Sequence, residues 1–328
     1  MTASIVSLAT AFPAWRLNAN VYAAAWGANA ARGLQRKPFC GFDEDAISLG
    51  VAAGRAALSR LDQAPHIAAL YLGSTTLPYE EKPASATVVT ALFENHAVRT
   101  VEIRGSNQAG LQALLAAAEY CAAHPGAYAM AIASDAPQAA VDASIEHALA
   151  AGAAAFVVGP APGVAEIGED KSVTIETFGS RFRRNGERHL RDLELRLSES
   201  GAAARALARF ELGKIDRLAV GAAPDVTRPL EKAFGAASDG LWPQLGDTGA
   251  AGAPIALAHA LETAATGETV LAAAVASGAV AVALRRTNGP PLAPAPSVPQ
   301  QLSGGSETDY IGYLKHRRML GPTNAATS

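Results

Sequence analysis

The chain is poor in the residues that usually announce a function. Two cysteines among 328 residues, Cys40 and Cys121, exclude a disulfide framework and cannot supply a cysteine zinc cluster. No run of about 18 uninterrupted apolar residues is present, so no membrane span is expected. Charged residues make up 17% and the net charge is −3, which gives no reason to expect nucleic acid or an anionic membrane as partner. The histidines (His66, His96, His124, His147, His189, His259 and His316) are dispersed without metal-like pairing, so no metal site is expected. The opening MTASIVSLATAFPAWRL lacks a basic leader and reads as a first strand ending at Pro13; a cytoplasmic protein is the expectation.

What the chain has in abundance is alanine and repetition. Hydrophobic residues reach 49%, which describes a compact core with small side chains at helix contacts. One passage reads IAALYLGSTT, then GSNQAGLQALLAAAEYCAAHPGAYAMAIASD. A second reads IDRLAVGAAPD, then GDTGAAGAPIALAHALETAATGETVLAAAVASG. Each gives an apolar strand, a Gly-rich turn, a long Ala/Leu helix and a second apolar strand. Repetition of such a unit marks a duplicated α/β fold.

Along the chain, a short helix is expected over 23–31 and a loop over 33–42. Asp43-Glu44-Asp45 then precedes AISLGVAAGRAALSRL, a helix of about four turns opened by acidic residues that satisfy free amides. Strands are expected at 67–73, 101–103, 128–133 and within 150–158, and helices at 86–93 and 107–123. The 107–123 helix is apolar all round and therefore buried. Pro160–Gly168 reads as a hinge between halves, giving residues 1–160, 161–287 and a trailing 288–328. An amphipathic helix to about Phe210 follows RFRRNGER. Residues 288–306 read as an extended linker, and Thr308–Leu320 as a short docking helix with Tyr310, Tyr313 and Leu314 on one face. The tail beyond it is expected to be disordered.

These pieces occur in one order from Ser4 to Leu284: IVSLATAFPAWRL, the Asp-Glu-Asp helix start, LYLGSTT, the NQAG helix, AIASD, GAAAFVVG, AVGAAPDVTRPLEKAFG, LGDTGAAGAPIALA and ASGAVAVAL. In that order the chain resembles the thiolase superfamily, within it the branch of hydroxymethylglutaryl-CoA (HMG-CoA) synthases and type III ketoacyl-ACP synthases. The resemblance implies a five-layered α/β/α/β/α fold, a homodimer and acyl-CoA chemistry through a Cys, a His and an Asn, with a Glu added in the synthase branch. The matching positions hold Asn107, Ala222 and Asp247, and the Glu falls near Ser74 or Thr75. An amide is not a nucleophile, Ala222 donates nothing, and a carboxylate at 247 repels a developing oxyanion unless protonated.

Other candidates remain. Ser106 adjoins the nucleophile position, and it either caps the helix or, lacking a His to activate it, serves as a weak nucleophile. Asp247 either caps its own helix or acts as a buried general base. Cys40 and Cys121 read as packing thiols. Arg181, Arg183, Arg184 and Arg188 either form a solvated loop or receive coenzyme A phosphates. No tightly bound cofactor is expected; a coenzyme A thioester is the expected ligand. Two functions follow. One is a divergent, non-catalytic thiolase-fold subunit of an acyl-CoA-processing complex, where the resemblance implies a zinc-ribbon/OB-fold protein and an active thiolase as partners. Tyr310-Ile-Gly-Tyr313-Leu314 would then tether the first of these, or else pack on its own domain. The other is an active acyltransferase, condensing or cleaving C–C bonds, that uses Asp247 or Ser106.

Overall fold

The computed structural model describes residues 3–27, 33–141, 143–160, 162–175, 181–191 and 200–320. The first half runs β1 (Ala3–Ala11), β2 (Trp15–Asn18), α1 (Ala19–Trp26), β3 (Arg36–Phe39), α2 (Ala46–Ser59) and β4 (Ile67–Gly73). It continues with α3 (Ala84–Leu92), β5 (Arg99–Ile103), α4 (Ala109–Ala123), β6 (Tyr128–Asp135) and β7 (Gly152–Pro160). The second half comprises β8 (Ala165–Val173), α5 (Ser200–Leu207), β9 (Arg217–Ala219), α6 (Pro224–Phe234), α7 (Trp242–Leu245), α8 (Gly252–Thr263), β10 (Thr269–Ala276) and β11 (Gly278–Arg286). After it come α9 (Val298–Ser303), β12 (Ser306–Glu307) and α10 (Tyr310–His316).

The duplication is visible in the strand order β5-β4-β6-β7-β1-β8-β11-β10-β9. Read outward from the β1/β8 seam, each half runs an antiparallel strand, its hairpin partner, then parallel strands joined through a buried helix. Both sheet faces are covered, which is why the strands are continuous apolar runs instead of alternating ones. In β6, Ala129 and Ala131 face a cluster shared with α4, α8, β10 and β11, while Met130 and Ile132 face a second cluster with α2. A third cluster packs α5 and α6 on the other faces of β10 and β11. The result is helix, sheet, central helix pair, sheet, helix, the expected five layers. Asp45 caps α2 by accepting from the Ser48 amide at 2.8 Å, with Ser48 Oγ accepting from the Asp45 amide in return.

Several local expectations are corrected. The first helix starts at Ala19, and residues 28–32 lie outside the described ones. The loop expected over 33–42 contains β3, which pairs antiparallel with β2; a four-residue strand in a small outlying sheet leaves too short a pattern to read. The last four residues of the supposed hinge open strand β8, and Val164 is tied to β1 by its amide donating to Ile5 O at 2.6 Å. The helix after the basic stretch is described from Ser200, residues 192–199 lying outside the described ones. The supposed linker is anchored: Val298 and Leu302 of α9 are buried in the central cluster, and β12 pairs with β2. Tyr313 and Leu314 pack against Leu17, Tyr22 and Phe39, so the aromatic helix docks on its own first half. The expected disordered tail, 321–328, lies outside the described residues.

Candidate active site

The two Gly-rich turns meet because each lacks side chains where backbone must touch backbone. A Cβ on Gly110 would stand 2.0 Å from Ala250 O, so the starts of α4 and α8 are in direct contact. Gly73 at the end of β4 backs onto Ala109 and Gly110, and Gly221 after β9 backs onto Gly252. Each strand end is thereby pressed against the helix start of its own half. Two helix N-termini, with their free amides and positive dipole ends, converge on one place.

Asn107, Asp247 and Arg181 are brought together there. Arg181 Nη2 donates to Asn107 Oδ1 at 2.6 Å, and Nη1 donates to Asp247 Oδ2 at 2.6 Å. The guanidinium thus spans the nucleophile position of one half and the Asn position of the other. Its side chain is 18% exposed and that of Asp247 29%. Asp247 Oδ1 accepts from the Gly249 amide at 2.9 Å, the capping role open to it in the sequence. Its backbone is pinned by reciprocal bonds with Ala148 and Ala150. Ser106 Oγ accepts from the Gln108 amide at 3.2 Å. Ala222 is half-buried beside Gly221, packed against the cluster under α6.

A carboxylate that the sequence pattern did not single out completes the site. Asp135, at the end of β6, is fully buried. Its Oδ1 accepts from Ser74 Oγ, the Thr75 amide and Thr76 Oγ1, and its Oδ2 from Thr75 Oγ1 and the Ala250 amide, all at 2.7–2.9 Å. It ties the end of β4 to the turn before α8, and it accounts for Ser74 and Thr75 where the resemblance places a Glu. The available signal was AIASD itself, an acid closing a fully buried strand. Thr248 Oγ1 is buried at the same turn with no hydrogen-bond partner among the described residues.

The remaining candidates fall elsewhere. Arg183 Nη2 donates to Thr75 O at 3.1 Å, and the Arg184 amide donates to Glu187. Burial pushes the Cys40 thiol up to about 12 and raises that of Cys121, so neither is a thiolate near neutrality. His259 is kept below its usual range by burial.

A fold of this layering, with two helix starts facing each other across a duplicated sheet, is thiolase-like. The solved HMG-CoA synthase complexed with CoA superposes with a TM-score of 0.75 at 14% identity, over 96% of this chain and 90% of that one. The 3-oxoacyl-(acyl carrier protein) synthase III of Pseudomonas aeruginosa PAO1 gives 0.77 at 16% identity, over 90% of this chain and 100% of that one. By sequence, the HMG-CoA synthase of Archaeoglobus fulgidus is 30% identical over 347 residues, covering 96% of this chain and 98% of the relative. That of Thermococcus gammatolerans is 33% identical over 157 residues, covering 48% of this chain and 45% of the relative. No family model matches. The chain belongs to the HMG-CoA synthase family.

Proposed function

We propose that this chain is a divergent HMG-CoA synthase-like subunit of an acyl-CoA-processing complex, one that does not work through a cysteine acyl-enzyme. The observation that carries this reading is the Arg181 bridge. A thioester carbonyl attacked at position 107 and polarised from position 247 would have to occupy the space between those groups, which the guanidinium fills. Asn107 Nδ2 is no nucleophile, and Ala222 leaves no proton donor in place of a His. The ligand is a coenzyme A thioester: solved proteins of this fold are complexed with CoA in one case and with the thioester HMG-CoA in another, which supports it. The working assembly is a homodimer with a zinc-ribbon/OB-fold protein and an active thiolase. Tyr313 and Leu314 of α10 are taken up by its own half, so in this reading they do not form the partner surface. The protein acts in the cytoplasm; no helix among the described residues is long and apolar enough to cross a membrane.

Incubation of purified protein with acetyl-CoA and acetoacetyl-CoA, followed by intact-mass analysis and a CoA-release assay, tests the reading. Neither adduct nor turnover is expected. An acyl adduct on Ser106, or turnover lost in Asp247→Asn, would establish instead the acyltransferase reading with a modified mechanism. Gentle co-purification from the native host tests the complex, and recovery as a bare homodimer counts against it.

A further inference from the structure

A cavity of about 470 Å³ opens between the start of α2, the 181–191 loop and the end of α10. That volume suits a small organic ligand. None of Asn107, Arg181 or Asp247 lines it; it shares only Thr76 with the Asp135 network.

Its cationic wall is Arg188, Arg317 and Arg318, with Arg183 beside them. Among the described residues, none of these four forms an ion pair. Neutral oxygens hold the three instead. Arg188 Nη2 donates to Arg317 O at 2.9 Å, Arg317 Nη2 to Pro137 O at 2.6 Å, and Arg318 Nη2 to Phe42 O at 3.3 Å. Arg317 is 7% exposed, and its Nε is buried without a partner among the described residues. Burial, then the neighbouring Arg317 and Arg318, lower the pKa of Arg188, which reports like charges left crowded together. Arg318 also adopts φ 54, a left-handed backbone unusual outside glycine.

The acids on the facing wall are Asp43, Glu44 and Asp45. Two are spent on backbone: Glu44 accepts from the Ala14 and Gly41 amides, and Asp45 caps α2. Between the walls stands Phe42, 65% exposed, its ring stacked on His316 at 5.9 Å and 13°. His316 in turn packs on Trp15. Phe42 therefore has a fixed back and an open face, the form of a stacking platform.

We propose that this cleft binds a nucleoside phosphate, with Arg188, Arg317 and Arg318 holding the phosphates and Phe42 stacking the base. Three guanidiniums outside any ion pair among the described residues, of which Arg317 is also drawn toward Glu146, suit an anion, and planar forks match phosphate oxygens. A free nucleotide and the nucleotide end of coenzyme A both offer this chemistry.

Calorimetric titration of the full chain at fixed salt with ADP, coenzyme A, inorganic pyrophosphate and adenosine tests it. ADP is expected to bind more tightly than pyrophosphate or adenosine. Arg188→Ala and Arg318→Ala should each weaken ADP roughly tenfold, the loss of one charge-assisted bond, with Arg318→Lys restoring part of it. Phe42→Ala should weaken ADP and leave pyrophosphate unchanged. Coenzyme A binding more tightly than ADP, with the same sensitivity, identifies the carrier as the source; equal affinity identifies a free nucleotide. Arg188, Arg318 and Phe42 are exposed, so unchanged melting curves certify folded variants. The proposal falls if neither ADP nor coenzyme A binds at millimolar concentration, if the arginine variants bind as the wild type does, or if pyrophosphate matches ADP and Phe42→Ala is silent. It does not depend on how acyl transfer at Asn107 and Asp247 turns out.

Discussion

Two polar centres in this molecule obey opposite rules. At the α4/α8 joint, Arg181 and Asp247 keep 18% and 29% of their side chains in water. Beneath α10, Lys37 and Glu146 keep 2% and 1%, paired at 3.5 Å. Tyr22 and Tyr313, each 1% exposed, both donate to the Glu146 carboxylate, and Lys37 Nζ donates to Glu146 O at 2.9 Å. The ammonium also lies over both rings, 4.7 and 5.1 Å from their centroids. A half-solvated pair is cheap to open, because water replaces each lost partner. A dry one is not, since breaking it strands a charge. The joint is therefore where a ligand can rearrange side chains, and the centre under α10 is a fixed point of the scaffold.

The largest expected effect tests that fixed point. Glu146→Ala leaves the Lys37 ammonium buried without its carboxylate and two tyrosine hydroxyls without an acceptor. Urea unfolding of the full chain should show a loss of about 3–5 kcal/mol. A loss under about 1 kcal/mol would mean that water already reaches the centre, and the contrast with the joint would disappear.

A smaller effect lies in the pH dependence. Burial lowers the Lys37 pKa from 10.5 to about 8, against the pull of Glu146. Between those values the unfolded chain binds the proton and the folded one does not, so stability rises with pH. Cys40 acts in the opposite sense: burial raises its thiol from 9.0 to about 12, so stability from this group falls above pH 9. The net gain is confined to pH 8–9 and amounts to about 1 kcal/mol. Chemical denaturation at both pH values checks it, and Lys37→Met should flatten the slope.

The two centres also differ in how far the sequence revealed them. The turns before α4 and α8 were legible because a glycine pattern repeated in two places has a single structural explanation. Arg181 was not, since its partners lie 74 and 66 positions away, and within RFRRNGER it looks like any solvated charge. Lys37 and Glu146 sit in short segments without periodicity, and residue type argues against burial for both. Tyr313 was marked by its place on one helix face, yet the face alone did not say whether its partner was another protein or Tyr22 and Phe39 of the same chain. Long-range pairing, not local pattern, decided each of these cases.

The smallest stability effect is expected at Arg181 itself, and its smallness is informative. Arg181→Ala removes a 2.6 Å ion pair and a 2.6 Å bond to Asn107 Oδ1, but water can reach the residues left behind, so the cost in urea unfolding should not exceed about 1 kcal/mol. A second readout separates a solvated bridge from an inert one. In an Asn107→Cys background, the new thiol stands near the start of α4 beside the guanidinium, where a neighbouring cation favours the thiolate. Its alkylation by iodoacetamide at pH 7 should outpace that of the buried Cys40 and Cys121, and adding Arg181→Ala should slow it several-fold. A cost above about 2 kcal/mol for Arg181→Ala, with alkylation unchanged, would make the bridge a second structural centre of the Glu146 kind. A small cost with slowed alkylation would leave it an electrostatic plug, held lightly enough at the meeting of two helix starts for a ligand to displace it.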